Sequence, residues 1–381
     1  MTQFDIVSPS AIQAGDATDA YFDRTVETLE AADRNPEVLA EVTASQFADG
    51  DWSLFAGLKD AAHLLEGRAV DVDALPEGQL FDGGPVMRIE GPYLEFCRLE
   101  TALLGFLSHT TGMATAALEA RRAAPESLVL SFGSRHLHPS IGASLERSAL
   151  LAGLDGISNV AAGEVIGREA GGTMPHALVV SFGRGNQETA WRAFDEAAAE
   201  DVPRIALCDT YSDEVEESLR AAEAVEGLDG VRIDTTGSRR GDFEHILREL
   251  RWKLDQHGHE ELDIFASGGL TPAALRELRD VADGFGVGSY ITDADSLDLS
   301  LDIVEVAGEP AVKRGKLGDR KEVYRTAGGE HVVARAGEAV EGEQLLEPLV
   351  RDGELVREFD LDAAAERALG DAEHVGFGGE R

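Results

Sequence analysis

The chain has 381 residues, enough for two or three domains with full cores, and its apolar content of 43% is ordinary. Its charge is not: 72 acidic residues stand against 34 basic ones, a net charge of −38, and only five of the basic residues are Lys. Such a lysine-poor, acidic surface over a normal core fits adaptation to high salt, where self-repulsion is screened. Regular apolar runs between the charges exclude an acidic disordered chain, and the lack of a Lys/Arg stripe excludes nucleic acid as a partner.

The first twenty residues are polar and turn-rich, and a first helix is expected from about Tyr21 to Asp33. Strand signals follow at Val38–Phe47 and Pro85–Ile89, with a helix near Leu54–Leu65 between them. A long apolar helix, about Leu99–Arg121, leads into a repeating region. From Leu128 to Gly288 a short apolar run breaks off seven times into glycine and polar residues. The endings are 131–136, 156–159, 181–185, 208–211, 232–237, 267–269 and 285–288, most of them followed by a helical stretch. That alternation predicts parallel strands joined by helices, with chemistry at the C-terminal strand ends. Seven polar endings that share one mouth favour a barrel over an open sheet. Beyond it, residues 301–358 read as short strands, followed by a helix over about Asp360–Leu369. The expected organisation is an N-terminal arm and α+β domain (1–112), an α/β barrel carrying the active site (113–291), and a C-terminal β-rich segment (292–381) packing with the N-terminal domain. Cys97 and Cys208, far apart in apolar surroundings, fit a reducing compartment. Neither a signal peptide nor a membrane-spanning run is read, so a cytoplasmic protein with no membrane partner is expected.

Scarce basic residues recur at the mouth: Arg135, His136, Arg184, Arg232, then Arg239 and Arg240. Each Arg alone could cap a helix or pair with a surface acid. As a set they point to a small anionic ligand, because the guanidinium fork grips carboxylate and phosphate in pairs of bonds. Glycines in Ser267-Gly268-Gly269 and Gly286-Val287-Gly288 let backbone N–H groups approach a phosphate, as the last two strands of such barrels often do. No dinucleotide fingerprint is present. Asp209 and Asp234 close two strands and could hold Mg²⁺ or ribose hydroxyls, stabilise a carbocation, or simply cap helices. His176 sits in the irregular loop Gly171–Ala177 before the expected third strand, a setting too specialised for an ordinary structural histidine.

The strings Thr18-Asp19-Ala20-Tyr21, Phe132-Gly133-Ser134-Arg135, Gly172-Thr173-Met174-Pro175-His176, Asp209-Thr210-Tyr211-Ser212-Asp213, Val231-Arg232-Ile233-Asp234, Ser267-Gly268-Gly269-Leu270 and Asp283-Gly284-Phe285-Gly286-Val287-Gly288 occur in order. With them the chain resembles the nicotinate phosphoribosyltransferases, of the shorter archaeal kind and here from a halophile. The resemblance implies an irregular α/β barrel of phosphoribosyltransferase type II beside a smaller β-containing domain, assembled as a homodimer or higher oligomer. It implies nicotinate and phosphoribosyl pyrophosphate as substrates, Mg²⁺, and ATP hydrolysis coupled through a phosphohistidine in NAD salvage. Carried over by motif, Tyr21 would stack on the pyridine ring, from a neighbouring subunit, and Phe132 would cover the other face. Arg135 would bind the carboxylate, and His176 would be the phosphorylated histidine, with Thr173 beside it. Arg232 would meet a phosphate, and Asp209 and Asp234 would serve ribose and metal. Ser267, Gly268, Gly269, Gly286 and Gly288 would cradle the 5′-phosphate. Some archaeal relatives carry a zinc knuckle, which two cysteines cannot form, so no structural zinc is expected. The fifth ending reads Asp234-Thr235-Thr236-Gly237, not the Asp-Ser-Gly of bacterial and eukaryotic relatives, which loosens the assignment of Asp234.

Quinolinate phosphoribosyltransferase is the nearest rival, but its site uses lysines, and this chain has none between Lys59 and Lys253. The same gap argues against Schiff-base aldolases. A metal hydrolase could use His136 and His138, but no later strand from the fourth to the seventh ends in His. A sugar-phosphate sensor would not need His176 and the paired acids.

Overall fold

The computed structural model describes residues 4–44, 52–234 and 241–378; the end of the strand expected over Val38–Phe47, and Thr235, Arg239 and Arg240, lie outside the described residues. The chain divides into two compact units, residues 1–115 with 295–377, and residues 116–294 with 378–381. The boundary falls within the helix Glu100–Ala123.

The first unit is built on a seven-stranded sheet. Its centre is Glu37–Ala44, which pairs antiparallel with Leu299–Val306 on one side and Pro85–Pro92 on the other. Strands from both ends of the chain thus share one sheet. Val38, Ala40 and Val42, two residues apart, turn into the core with Val72, Met87 and Ile89. The helix Leu58–Leu65 adds Leu58, Ala61, Ala62 and Leu65, the spacing of one helical face. Inside it, Arg88 is held between Asp73 and Glu322, and Lys321 pairs with Glu41.

In the second unit five parallel strands are numbered in chain order: β1 (Leu128–Ser131), β2 (Ile205–Leu207), β3 (Gly230–Ile233), β4 (Asp263–Ser267) and β5 (Gly284–Val287). Their order in the sheet is β1-β5-β4-β3-β2. Helices Glu214–Ala224, Phe243–Gln256 and Pro272–Leu278 link β2 to β5 in turn. These strands are short and almost wholly buried, as expected where helices cover both faces. Beyond β1 the row continues as isolated parallel bridges, Leu130 to Gly156 and Ile157 to Ala170. The result is a mixed α/β fold; among the described residues no pairing closes the row into a barrel.

One expected strand is a helix. The run before Ser181 folds as the helix His176–Ser181, with Pro175 as its N-cap residue. Its four apolar residues, 177–180, cannot distinguish strand from helix by period. Only Val179 of this run is buried, while Val180 is 49% exposed, so a single helical face meets the interior. His176 therefore opens a helix instead of preceding a strand. Arg184 follows that helix as an exposed residue and does not reach the mouth.

Candidate active site

The C-terminal strand ends enclose a cavity of about 380 Å³. Of the residues singled out in the sequence, Phe132, Arg135, Thr173, Arg232, Asp234, Ser267, Gly268, Gly269, Gly286 and Gly288 line it. His176 and Asp209 are not lining residues but join it through Asp234. Tyr21 belongs to the other unit, where it is 56% exposed on the helix Ala20–Ala31.

Two glycines shape the floor. Gly286 on β5 lies against Phe132 at the end of β1, and a Cβ there would fall 2.3 Å from the Phe132 ring. Gly268 has φ +100°, and its Cβ would fall 2.2 Å from the carbonyl oxygen of Asp234. Glycine is required at both, at the second for conformation as well as space.

Arg232 projects from β3. One terminal nitrogen donates to Thr173 Oγ1 at 2.8 Å and the other to the Met174 carbonyl at 2.9 Å, while its guanidinium carbon lies 5.8 Å from the centre of the Phe132 ring. The fork thus pins the loop that carries His176. Burial lowers the pKa of Arg232, against the opposing charges of Asp234 and Asp209.

The centre of the site is a triad. His176 Nε2 lies 3.6 Å from Asp209 Oδ1 and 3.6 Å from Asp234 Oδ2, and His176 Nδ1 lies 3.2 Å from Thr210 Oγ1. The remaining carboxylate oxygens are occupied: Asp209 Oδ2 accepts from the Asp234 N–H at 2.7 Å, and Asp234 Oδ1 accepts from Ser267 Oγ at 2.6 Å. The hydrogen bond to Asp234 raises the His176 pKa against the opposing pull of burial, with the charges of Asp209 and Asp234 adding to the rise. For Asp234 burial pulls upward, but bonds from His176 and Ser267 and the charge of Arg232 outweigh it and hold the carboxyl below its usual range. Neither aspartate caps a helix: those caps are Asp213 and Asp242. Asp209 Oδ1 and Asp234 Oδ2, which both face His176 Nε2, are hard donors of the kind Mg²⁺ takes, an ion commonly held by one or two carboxylates with substrate phosphates completing its shell.

Two supporting acids were missed in the sequence. Glu217, fully buried, accepts N–H bonds from Thr210, Tyr211 and Ser212, each at 2.9 Å, and from Gln187 Nε2 at 3.1 Å. It builds the loop that presents Asp209 and Thr210. Glu146, also fully buried, accepts from Ser134 Oγ at 2.8 Å. The signal for both was spacing: each lies on the buried face of its helix, Gly142-Leu145-Glu146-Ala149 and Glu214-Glu217-Ser218-Ala221. His138 accepts from the Ser140 N–H and caps a short turn.

Residues 19–111 match the family model for the N-terminal domain of quinolinate phosphoribosyl transferase, and residues 113–302 match that for its C-terminal domain. The chain is 32% identical over 316 residues to the nicotinate phosphoribosyltransferase pncB1 of Mycobacterium tuberculosis, a match covering 77% of this chain and 69% of that protein. A crystal structure of nicotinate-nucleotide pyrophosphorylase from Pyrococcus furiosus is 44% identical, with a TM-score of 0.94, covering 99% of this chain and 100% of that one. Human nicotinic acid phosphoribosyltransferase, at 23% identity and a TM-score of 0.79 over 94% of this chain and 93% of that one, shares the fold. Fold and site together define a phosphoribosyltransferase of NAD biosynthesis. The chain belongs to the quinolinate and nicotinate phosphoribosyltransferase family.

Proposed function

We propose that this chain is a nicotinate phosphoribosyltransferase that joins nicotinate to phosphoribosyl pyrophosphate and couples the reaction to ATP hydrolysis through His176. The observation that carries the reading is His176 held between Asp209 and Asp234, beside a cavity with arginines but no lysine. Arg135 would hold the nicotinate carboxylate. Phe132, with Tyr21 from a neighbouring subunit of a homodimer or higher oligomer, would enclose the ring. The ring nitrogen attacks C1 of the ribose as the bond from C1 to pyrophosphate oxygen breaks, and needs positioning, not a base. Asp234 faces the positive charge that develops on the sugar. Asp209 and Asp234 would hold Mg²⁺, which supplies neutralising charge to the leaving pyrophosphate. Ser267 and the loops of Gly268, Gly269, Gly286 and Gly288 would receive the 5′-phosphate, and Arg232 would stabilise phosphate charge while holding its loop.

With its Nε2 proton toward the two carboxylates, the neutral His176 ring would keep its lone pair on Nδ1, next to the Thr210 hydroxyl. Nδ1 would attack the γ-phosphorus of ATP as the bond to the ADP oxygen breaks and ADP departs. The acidic surface suits catalysis in multimolar salt.

A second reading, quinolinate as the acceptor, is favoured by the two domain matches. Against it stand the lysine-free cavity and an Arg232 fork already bonded to Thr173 and Met174. The test is turnover of nicotinate, phosphoribosyl pyrophosphate and Mg²⁺ in multimolar KCl, with and without ATP. The expected result is nicotinate mononucleotide, formed faster with ATP, and loss of that stimulation in His176→Ala with basal turnover retained. Equal loss of both in His176→Ala would refute the phosphohistidine.

A further inference from the structure

Glu146 stands out among the groups that the reaction above does not use. It is a wholly buried carboxylate on the helix Gly142–Leu151. Its Oε1 accepts from Ser134 Oγ at 2.8 Å and lies 3.4 Å from both the N–H and the hydroxyl of Ser158. Its Oε2 is buried without a hydrogen-bond partner, and among the described residues no cation pairs with it. A carboxylate held this way, with hydroxyls in place of a counter-cation, is costly to bury. Both serines line the cavity, next to Arg135.

We propose that Glu146 is a specificity-determining positioning residue that keeps a second carboxylate out of the pyridine end of the cavity. The inference rests on nicotinate as the acceptor. With their hydrogens committed to Glu146, Ser134 and Ser158 present oxygen lone pairs to a ligand, and a negative charge stands one hydroxyl behind them. Arg135, on the same turn as Ser134, presents the opposite polarity. A pyridine monocarboxylate can place its charge on Arg135 and its bare ring edge toward the serines. A 2,3-dicarboxylate must set its second carboxylate against acceptors and like charge, and a desolvated charge without a partner is how sites reject near-identical ligands. This also gives Ser158, just past the isolated bridges of Gly156 and Ile157, a part in the site.

The test is kcat/KM for nicotinate and for quinolinate in the wild type, Glu146→Gln, Glu146→Asp and Glu146→Met, with the dissociation constant of quinolinate measured by calorimetry. The wild type is expected to favour nicotinate. Glu146→Gln should raise the quinolinate-to-nicotinate ratio at least tenfold, chiefly through tighter quinolinate binding, and Glu146→Asp should restore the wild-type ratio. If Glu146→Gln does not fold, Glu146→Met, of similar volume and without charge, carries the same threshold. A wild type that prefers nicotinate, with the ratio unchanged in the folded uncharged variant, overturns the role of Glu146 alone. A wild type that prefers quinolinate overturns the nicotinate reading itself.

Discussion

Glu217 offers a direct test of how the site is built. Its carboxylate accepts four donors, three of them backbone N–H groups of the loop that carries Asp209 and Thr210. In Glu217→Gln the amide oxygen can keep the three donors now on Oε1, but the amide NH₂ then faces the Thr210 N–H, donor against donor. The loss of one charge-assisted bond, together with that mismatch, costs about 2–3 kcal/mol. Glu217→Ala leaves four donors without an acceptor; at 1–3 kcal/mol each, less what water restores to a half-buried loop, the cost is roughly 4–8 kcal/mol. That approaches the whole stability of a typical domain, about 5–15 kcal/mol. Thermal unfolding of Glu217→Gln in KCl should show a midpoint lower by roughly 5–10 °C, as expected for a unit of this size. Because Asp209 and Thr210 lose their anchor, ATP-stimulated turnover should fall at least tenfold in the same variant. A Glu217→Gln protein within about 1 °C of the wild type, with full turnover, would refute the claim that this carboxylate holds the loop.

Three further outcomes follow from local geometry. Gly268→Ala should cost roughly 2–4 kcal/mol and at least tenfold in kcat, because its Cβ would meet the Asp234 backbone at 2.2 Å. Gly269→Ala, also at positive φ but with nothing within 4 Å of its Cβ, should cost only about 1 kcal/mol, so equal effects in thermal unfolding would contradict the contact argument. His331 gives the pH prediction: burial first, then the charge of Arg325, lowers its pKa to about 4. The folded value lies below the unfolded value of about 6.5, so its stability contribution is complete above pH 6.5 and is lost as pH falls toward 4, by roughly 3 kcal/mol. Urea unfolding at pH 7 and pH 5 should show a smaller acid loss in His331→Gln than in the wild type, and equal losses would rule the mechanism out.

The parallel strands were legible because buried strands read as short apolar runs ending in glycine, as in Ile264–Ser267 and Phe285–Val287. The run Ala177–Ser181 was not, since five residues carry too little period to separate strand from helix. The glycines, arginines and aspartates at the strand ends could be read by residue type and position. That Arg232 bonds to Thr173 and Met174 could not, because those partners are almost sixty residues away in sequence. Glu146 and Glu217 were passed over because an acid within a helix reads as solvent-facing unless its neighbours at i+3 and i+4 are weighed. Their importance comes from the donors they collect from other elements, which no local pattern records.

The most direct measurement of the central claim is a competition. The wild-type chain would receive equimolar nicotinate and quinolinate with phosphoribosyl pyrophosphate, ATP and Mg²⁺ in multimolar KCl, with consumption of each acid followed by mass spectrometry. Nicotinate should be consumed and become nicotinate mononucleotide while quinolinate persists. Preferential loss of quinolinate with release of carbon dioxide would contradict it.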